Sequence, residues 1–139
     1  MENIVLDILP GAAWPVCHAS QCDIGRVIQI NIKDISTLYK INRKDTLMFE
    51  MKKPDTTVVT SYVNYNIGDS IIYLTTTEQM CACPGSCLCE IKITKKDYSI
   101  GTLNFILEIE EDPGINIESI SEIADMEQRI IRAVKKWRS

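Results

Sequence analysis

Residues Ser70–Glu110 read SIIYLTTTEQMCACPGSCLCEIKITKKDYSIGTLNFILEIE, and three pieces of this stretch alternate with a period of two. From Ser86 onward, Cys87, Cys89, Ile91 and Ile93 share one face, and Leu88, Glu90, Lys92 and Thr94 the other. In the last piece Leu103, Phe105, Leu107 and Ile109 stand against Asn104, Glu108 and Glu110. Such alternation marks half-buried strands. Two neighbouring strands that each turn four apolar residues to one side form a wall of a β-sandwich. Pro84-Gly85 is the turn before the first of them. The capping-box spacing Thr75-x-x-Glu78 predicts a short helical turn in the corner.

Working outward, Arg26–Lys33 alternates with Ile28, Ile30 and Ile32 on one face, and Leu38–Ile41 is a short extended piece. Asn42–Asp45 is a polar turn, and Thr46–Lys52 is a strand with Leu47, Phe49 and Met51 inward. In Lys53-Pro54-Asp55, proline fixes φ and the aspartate bonds back to the backbone, so a turn is expected. Thr57–Val63 is rich in β-branched residues, which favour strands. Gly101 opens the final strand and Asp112-Pro113-Gly114 closes it. About six or seven short strands, with turn signals every ~8–12 residues, predict an all-β fold, an immunoglobulin-like antiparallel β-sandwich over residues 26–112.

The flanks differ from this body. Residues 1–25 form an arm punctuated by Pro10-Gly11 and Pro15, and Ile4, Val5, Leu6, Ile8, Leu9 and Trp14 make it too apolar for a free tail. It either packs on the sandwich or docks on a partner; Ile4, Leu6, Ile8, Leu9 and Trp14 are the candidate docking residues. From Ser119 the period becomes helical, through Ile120, Ile123, Ile130, Val134 and Trp137. Acidic residues crowd the start of this segment and Arg129, Arg132, Lys135, Lys136 and Arg138 its end, which complements a helix dipole. Residues 113–139 therefore read as a linker and a C-terminal α-helix of about 19 residues, ~28 Å long. That helix either folds back on its own sandwich or forms a short stem joining copies of the chain, with the five apolar residues as the oligomerisation face.

With 139 residues, 45% hydrophobic and 24% charged, the chain suits one globular domain. A net charge of −4 argues against nucleic-acid binding. No apolar run approaches the ~18 residues of a membrane span. The opening residues lack a basic region and a long apolar core, so synthesis in a cytoplasm and reduced thiols are expected.

Chemistry-bearing residues are few. Cys81, Cys83, Cys87 and Cys89 form the one dense cluster of metal-type ligands, and Cys17, His18 and Cys22 could add to it. Thiolates at this spacing can hold zinc. However, Cys-x-Cys in a strand points both sulfurs to one face, and free cysteine packs as a small apolar group. Burial in the core, a zinc site and a disulfide all stay open here, with the core reading preferred. His18 reads as exposed, and Glu110-Glu111, Lys52-Lys53 and Lys95-Lys96 as solvated charges. No nucleophile, base and orienting group can be named together, so neither enzymatic activity nor a cofactor is expected.

Four segments carry a resemblance: SQCDIGR at Ser20–Arg26, KKPDTTVV at Lys52–Val59, EQMCACPG at Glu78–Gly85 and GTLNFILEIE at Gly101–Glu110. In this order they resemble the N-terminal domain shared by phage baseplate upper proteins and the head-fibre proteins of tailed phages, over about Val16 to Glu111. Thr56 stands where that group usually has glycine, and the cysteine-rich corner is not part of the pattern. The resemblance implies a virion structural protein, made in the host cytoplasm and placed on the capsid surface as a head fibre or decoration protein. Its partner would be the major capsid protein or another shell protein, with copies gathered by the C-terminal helix, usually as a homotrimer. The SQxDxGR and GTxNF segments look closest to the head-fibre branch. A baseplate protein of the same fold is the alternative, and a cytoplasmic metal-binding or redox module using the cysteines is an unrelated one.

Overall fold

The computed structural model describes residues 2–8, 13–35, 37–63, 65–95 and 98–124. In chain order these carry strands β1 (Glu2–Asp7), β2 (Val16–Ser20), β3 (Val27–Asp34), β4 (Thr37–Leu38), β5 (Thr46–Lys52) and β6 (Val58–Tyr62). β7 (Ile71–Thr75), β8 (Gly85–Lys95) and β9 (Tyr98–Glu110) complete the set, with a single 3-10 turn at Gln79–Cys81 between β7 and β8. The fold is all-β, as the alternation requires.

β8 and β9 are antiparallel neighbours, with Cys87 opposite Leu107, Cys89 opposite Phe105 and Ile91 opposite Leu103. All of these side chains are buried. β5 lies on the other side of β8 and places Phe49 against Ile91 and Met51 against Cys89. β6 closes that edge, giving a five-stranded sheet B in the order β2-β9-β8-β5-β6. The four-stranded sheet A is built on β3, flanked by β1 on one side and by β4 and β7 on the other. Inward residues of both sheets meet in a single core, in which Ile28, Ile30, Ile32 and Ile72 from sheet A join Leu47, Phe49, Ile91 and Phe105 from sheet B. The Phe49 and Phe105 rings stack at 6.4 Å.

Two expectations are corrected. The arm is part of both sheets rather than an appendage: β1 pairs with β3, and β2 pairs with β9. Both pairings are parallel, so the sheets are not wholly antiparallel. The reason is burial. Ile4 and Leu6, two apart on β1, and Cys17 and Ala19, two apart on β2, each complete a core face that β3 and β9 alone leave open.

The expected C-terminal helix does not begin at Ser119. Residues 119–124 run extended, and Glu122 bridges to Val59 in parallel along the outer edge of β6. Residues 125–139, which hold the rest of the expected helix, lie outside the described residues. The corner turn is present, three residues later than its capping-box signal at Thr75. Its N-cap is Glu78, without a side-chain capping bond, and the Met80 N–H reaches Thr77 Oγ1 at 3.4 Å.

Three of the segments that carried the resemblance are joints of this frame, and the fourth, Gly101–Glu110, lies within β9. Ser20–Arg26 carries the chain from sheet B to sheet A, and Asp23 accepts from the Ser20 N–H at 3.0 Å. Gln21 spans the joint, donating to Ala82 O at 2.9 Å and accepting from the Asp112 N–H at 2.9 Å. The Lys-Pro-Asp turn does adopt the left-handed backbone, with Thr56 itself at φ 72°.

Candidate docking surface

Of the candidate docking residues, Ile4 and Leu6 are core residues and are not offered to a partner; β1 turns them inward, and only 8% and 3% of their surfaces remain exposed. Ile8 is half-buried against the same core, and Leu9 lies outside the described residues. The apolar surface that β1 does present is Val5, on the opposite face. Val5, Leu38 and Tyr73 are all exposed on the outer side of sheet A, where Gln29, Asn31 and Lys33 of β3 lie between them.

Trp14 remains exposed, at 47%, and belongs to the outer side of sheet B. There the register aligns one residue from each strand: Val16 opposite Ile106, Ile106 opposite Leu88, Leu88 opposite Lys52, and Lys52 opposite Val58. Four of these five are apolar, and they make a row across the sheet at right angles to its strands. Val16 and Leu88 are 49% and 47% exposed. A cleft of about 340 Å³ opens over this row, lined by Trp14, Lys52, Val58, Leu88, Glu90 and Asn104.

At the edge of this face the tail is held by a polar clasp. Lys53, read from the sequence as a solvated charge, is only 2% exposed. Its ammonium donates to Gln79 O, Gln79 Oε1 and Ile120 O, each at 3.0 Å, which uses all three of its protons. Gln79, itself buried, also accepts from the Ile120 N–H at 2.9 Å and donates to Glu118 O at 2.9 Å. Burial pulls the Lys53 pKa below the usual lysine value, and the negative charge of Asp55 acts against that. Beside it, the Ser119 and Thr57 hydroxyls bond to the Asp55 carboxylate and hold it down at about 2. The tail continues along β6: Val58 N–H donates to Ser121 Oγ at 3.0 Å, Glu122 N–H to Val58 O at 2.8 Å and Thr60 N–H to Glu122 O at 2.8 Å. Of the candidate oligomerisation residues, Ile120 and Ile123 are exposed, while Ile130, Val134 and Trp137 lie outside the described residues.

The cysteines are free thiols, spread between core and surface. Cys17, Cys81, Cys87 and Cys89 are buried, Cys83 is half-buried and Cys22 is exposed. Burial pushes the Cys87 thiol up to about 12 and the Cys89 thiol well above its ordinary value. Cys17 and His18 point to opposite faces of β2. Among the described residues no three His, Cys, Asp or Glu side chains gather as a metal site.

Lys53 and Gln79 are the residues that sequence reasoning missed. The signal for Lys53 was present, because it is the next position on the inward face after Leu47, Phe49 and Met51. Gln79 had none beyond its place in the corner.

Comparison with known proteins finds a match at the level of fold. The N-terminal domain of phage TP901-1 ORF48 is similar to this chain with a TM-score of 0.62 and 11% sequence identity, over 78% of this chain and 97% of that domain. No family model and no curated protein matches the sequence.

Proposed function

We propose that this chain is a structural protein of a tailed-phage virion, a capsid-attached head fibre or decoration protein that serves as a building part and not as a catalyst. The observation that carries the reading is the fold: nearly the whole of a phage protein's N-terminal domain superposes on these two sheets. The four segments from Ser20 to Glu110 support it, since together they resemble the domain that head-fibre and baseplate upper proteins share, and SQxDxGR and GTxNF look closest to the head-fibre branch. The N-terminal part docks through β1, with Val5 outward on the same face of sheet A as Tyr73 and Leu38 across β3, and the partner is the major capsid protein or another shell protein. On the particle the copies gather as trimers, as the resemblance implies.

Removing residues 1–25 is no test of this reading, because the deletion would take a strand from each sheet. Replacing Val5 and Tyr73 together with aspartate leaves the core intact, since both are exposed. Antibody labelling of purified particles, viewed by electron microscopy, should place the unaltered protein on the capsid and show its loss in the double variant. Label on the tail tip would favour the second reading, a baseplate protein of the same fold, which the same segments also resemble. Particles without label at either place would overturn both.

A further inference from the structure

Sheet A ends on one side at β7, and the outer edge of that strand is open. The Ile32 N–H donates to Ser70 O and the Thr76 N–H to Arg26 O, each at 2.8 Å. These bonds set the parity of the ladder: even-numbered residues of β7 turn their backbone groups to β3, while Ile71, Tyr73 and Thr75 turn theirs away. No described residue bonds to the outer backbone groups of these three. Tyr73 and Thr75 are also exposed. Other edges carry a protection that β7 lacks. Residues 119–124 run along β6, and β1 has an acid at each end, Glu2 and Asp7. The run Ser70–Thr77, SIIYLTTT, holds no charge, no proline and no glycine. An edge strand of that kind is a template for another strand.

The strand that fits it is β7 of a second copy. Laid antiparallel about a two-fold axis at Tyr73, β7 sets Tyr73 opposite its twin and Ile71 opposite Thr75 of the second copy. Each such pair exchanges two hydrogen bonds, about six in all, and every outer group is used. Neighbouring axes do worse. One at Ile71 would call on Asp69, whose O already accepts the Ile41 N–H at 2.9 Å. One at Thr75 would call on Thr77, whose O accepts the Cys81 N–H at 3.3 Å. The axis at Tyr73 also brings the two tyrosine rings together as a cross-strand pair on the outer face. Beyond the strand, Asp69 falls opposite Thr77 and Glu78 opposite Gly68, so no acid meets an acid.

We propose that two copies of this chain join edge to edge through β7, antiparallel about Tyr73, so that their A sheets become one continuous sheet. The pairing belongs to the free protein and does not rest on the virion reading. Light scattering on the purified full chain tests it without any particle, and circular dichroism checks that each variant keeps its sheets. Tyr73→Lys and Tyr73→Glu each put like charges opposite one another across the axis, so each should halve the mass. An equal mixture of the two should restore it, because an ammonium then faces a carboxylate. Thr75→Pro removes an outer N–H and leaves the ladder to β3 in place, and should raise the dissociation constant about tenfold or more. An unaltered chain that is monomeric at every concentration would overturn the proposal, and so would a mass that none of these variants changes. Charged variants that separate the copies but do not recombine on mixing would overturn it too, by removing Tyr73 from the axis.

Discussion

Lys53 shows how one side chain joins three parts of the molecule that are far apart in sequence. Its ammonium satisfies two oxygens of Gln79 in the corner and one of Ile120 in the tail. Lys53→Met keeps the bulk of the stem but takes the Lys53 donor from Ile120 O, while Gln79 Oε1 keeps the Ile120 N–H and Gln79 O the Ala82 N–H. The lost charge-assisted bonds should outweigh the relief of removing a buried charge, at a net cost of about 1–2 kcal/mol. Urea unfolding should show the lowered midpoint, and proteolysis after the clasp should quicken. Thr56 works in the other direction. A β-branched residue at φ 72° is strained, and its side chain is exposed, so little contact is lost on removing it. Thr56→Gly should stabilise by about 0.5–1 kcal/mol, the relief of strain exceeding the added freedom of the unfolded chain. Thermal unfolding checks it. At this scale the sequence was half legible. The usual glycine of the turn marked the left-handed position, whereas Lys53 was hidden by its charge although the alternation of β5 runs straight into it.

Among the elements, β8 depends most on its first residue. Gly85 has φ 117°, and a Cβ there would meet Pro54 Cγ at 3.0 Å. Gly85→Ala should therefore cost about 1–2 kcal/mol through backbone strain alone, with further loss from pushing the Lys-Pro-Asp turn away, and denaturant unfolding measures it. β3, β5, β8 and β9 could be read in advance because each carries a clean period of two between turn residues, and β6 because it is rich in β-branched residues. β1 could not. Ile4-Val5-Leu6 is a continuous apolar run, which by itself suits a buried strand or a docking segment equally, and only the pairing with β3 separates the two. Parallel pairing of β1 and β2 leaves no local mark either, since the partner strand lies elsewhere in the chain. Alternation alone would have divided Ile4 and Leu6, two of the candidate docking residues, from Val5, which was not among them, once a strand was assumed.

For the molecule as a whole, the buried thiols set the alkaline limit of stability. Cys81, Cys87 and Cys89 are all raised, first by burial, and Cys87 reaches about 12. A thiol with a native pKa above its unfolded one keeps its proton where the unfolded chain has lost it. The unfolded state then binds fewer protons, and stability falls as pH rises. The contribution is whole below the ordinary thiol value of 9.0 and is lost between there and about 12. The urea midpoint should thus drop from neutral to about pH 10.5, and drop less in a Cys87→Ala, Cys89→Ala chain that starts from a lower value. The two parallel pairings act at the same scale but in time. β2 finds its partner about 90 residues further along, with Cys17 opposite Leu107. On a ribosome, sheet B cannot be completed until β9 has emerged. Contacts of such long range slow folding, so the nascent chain should wait with β2 unpaired and the β8 edge open, and a holdase that shields them would raise the yield.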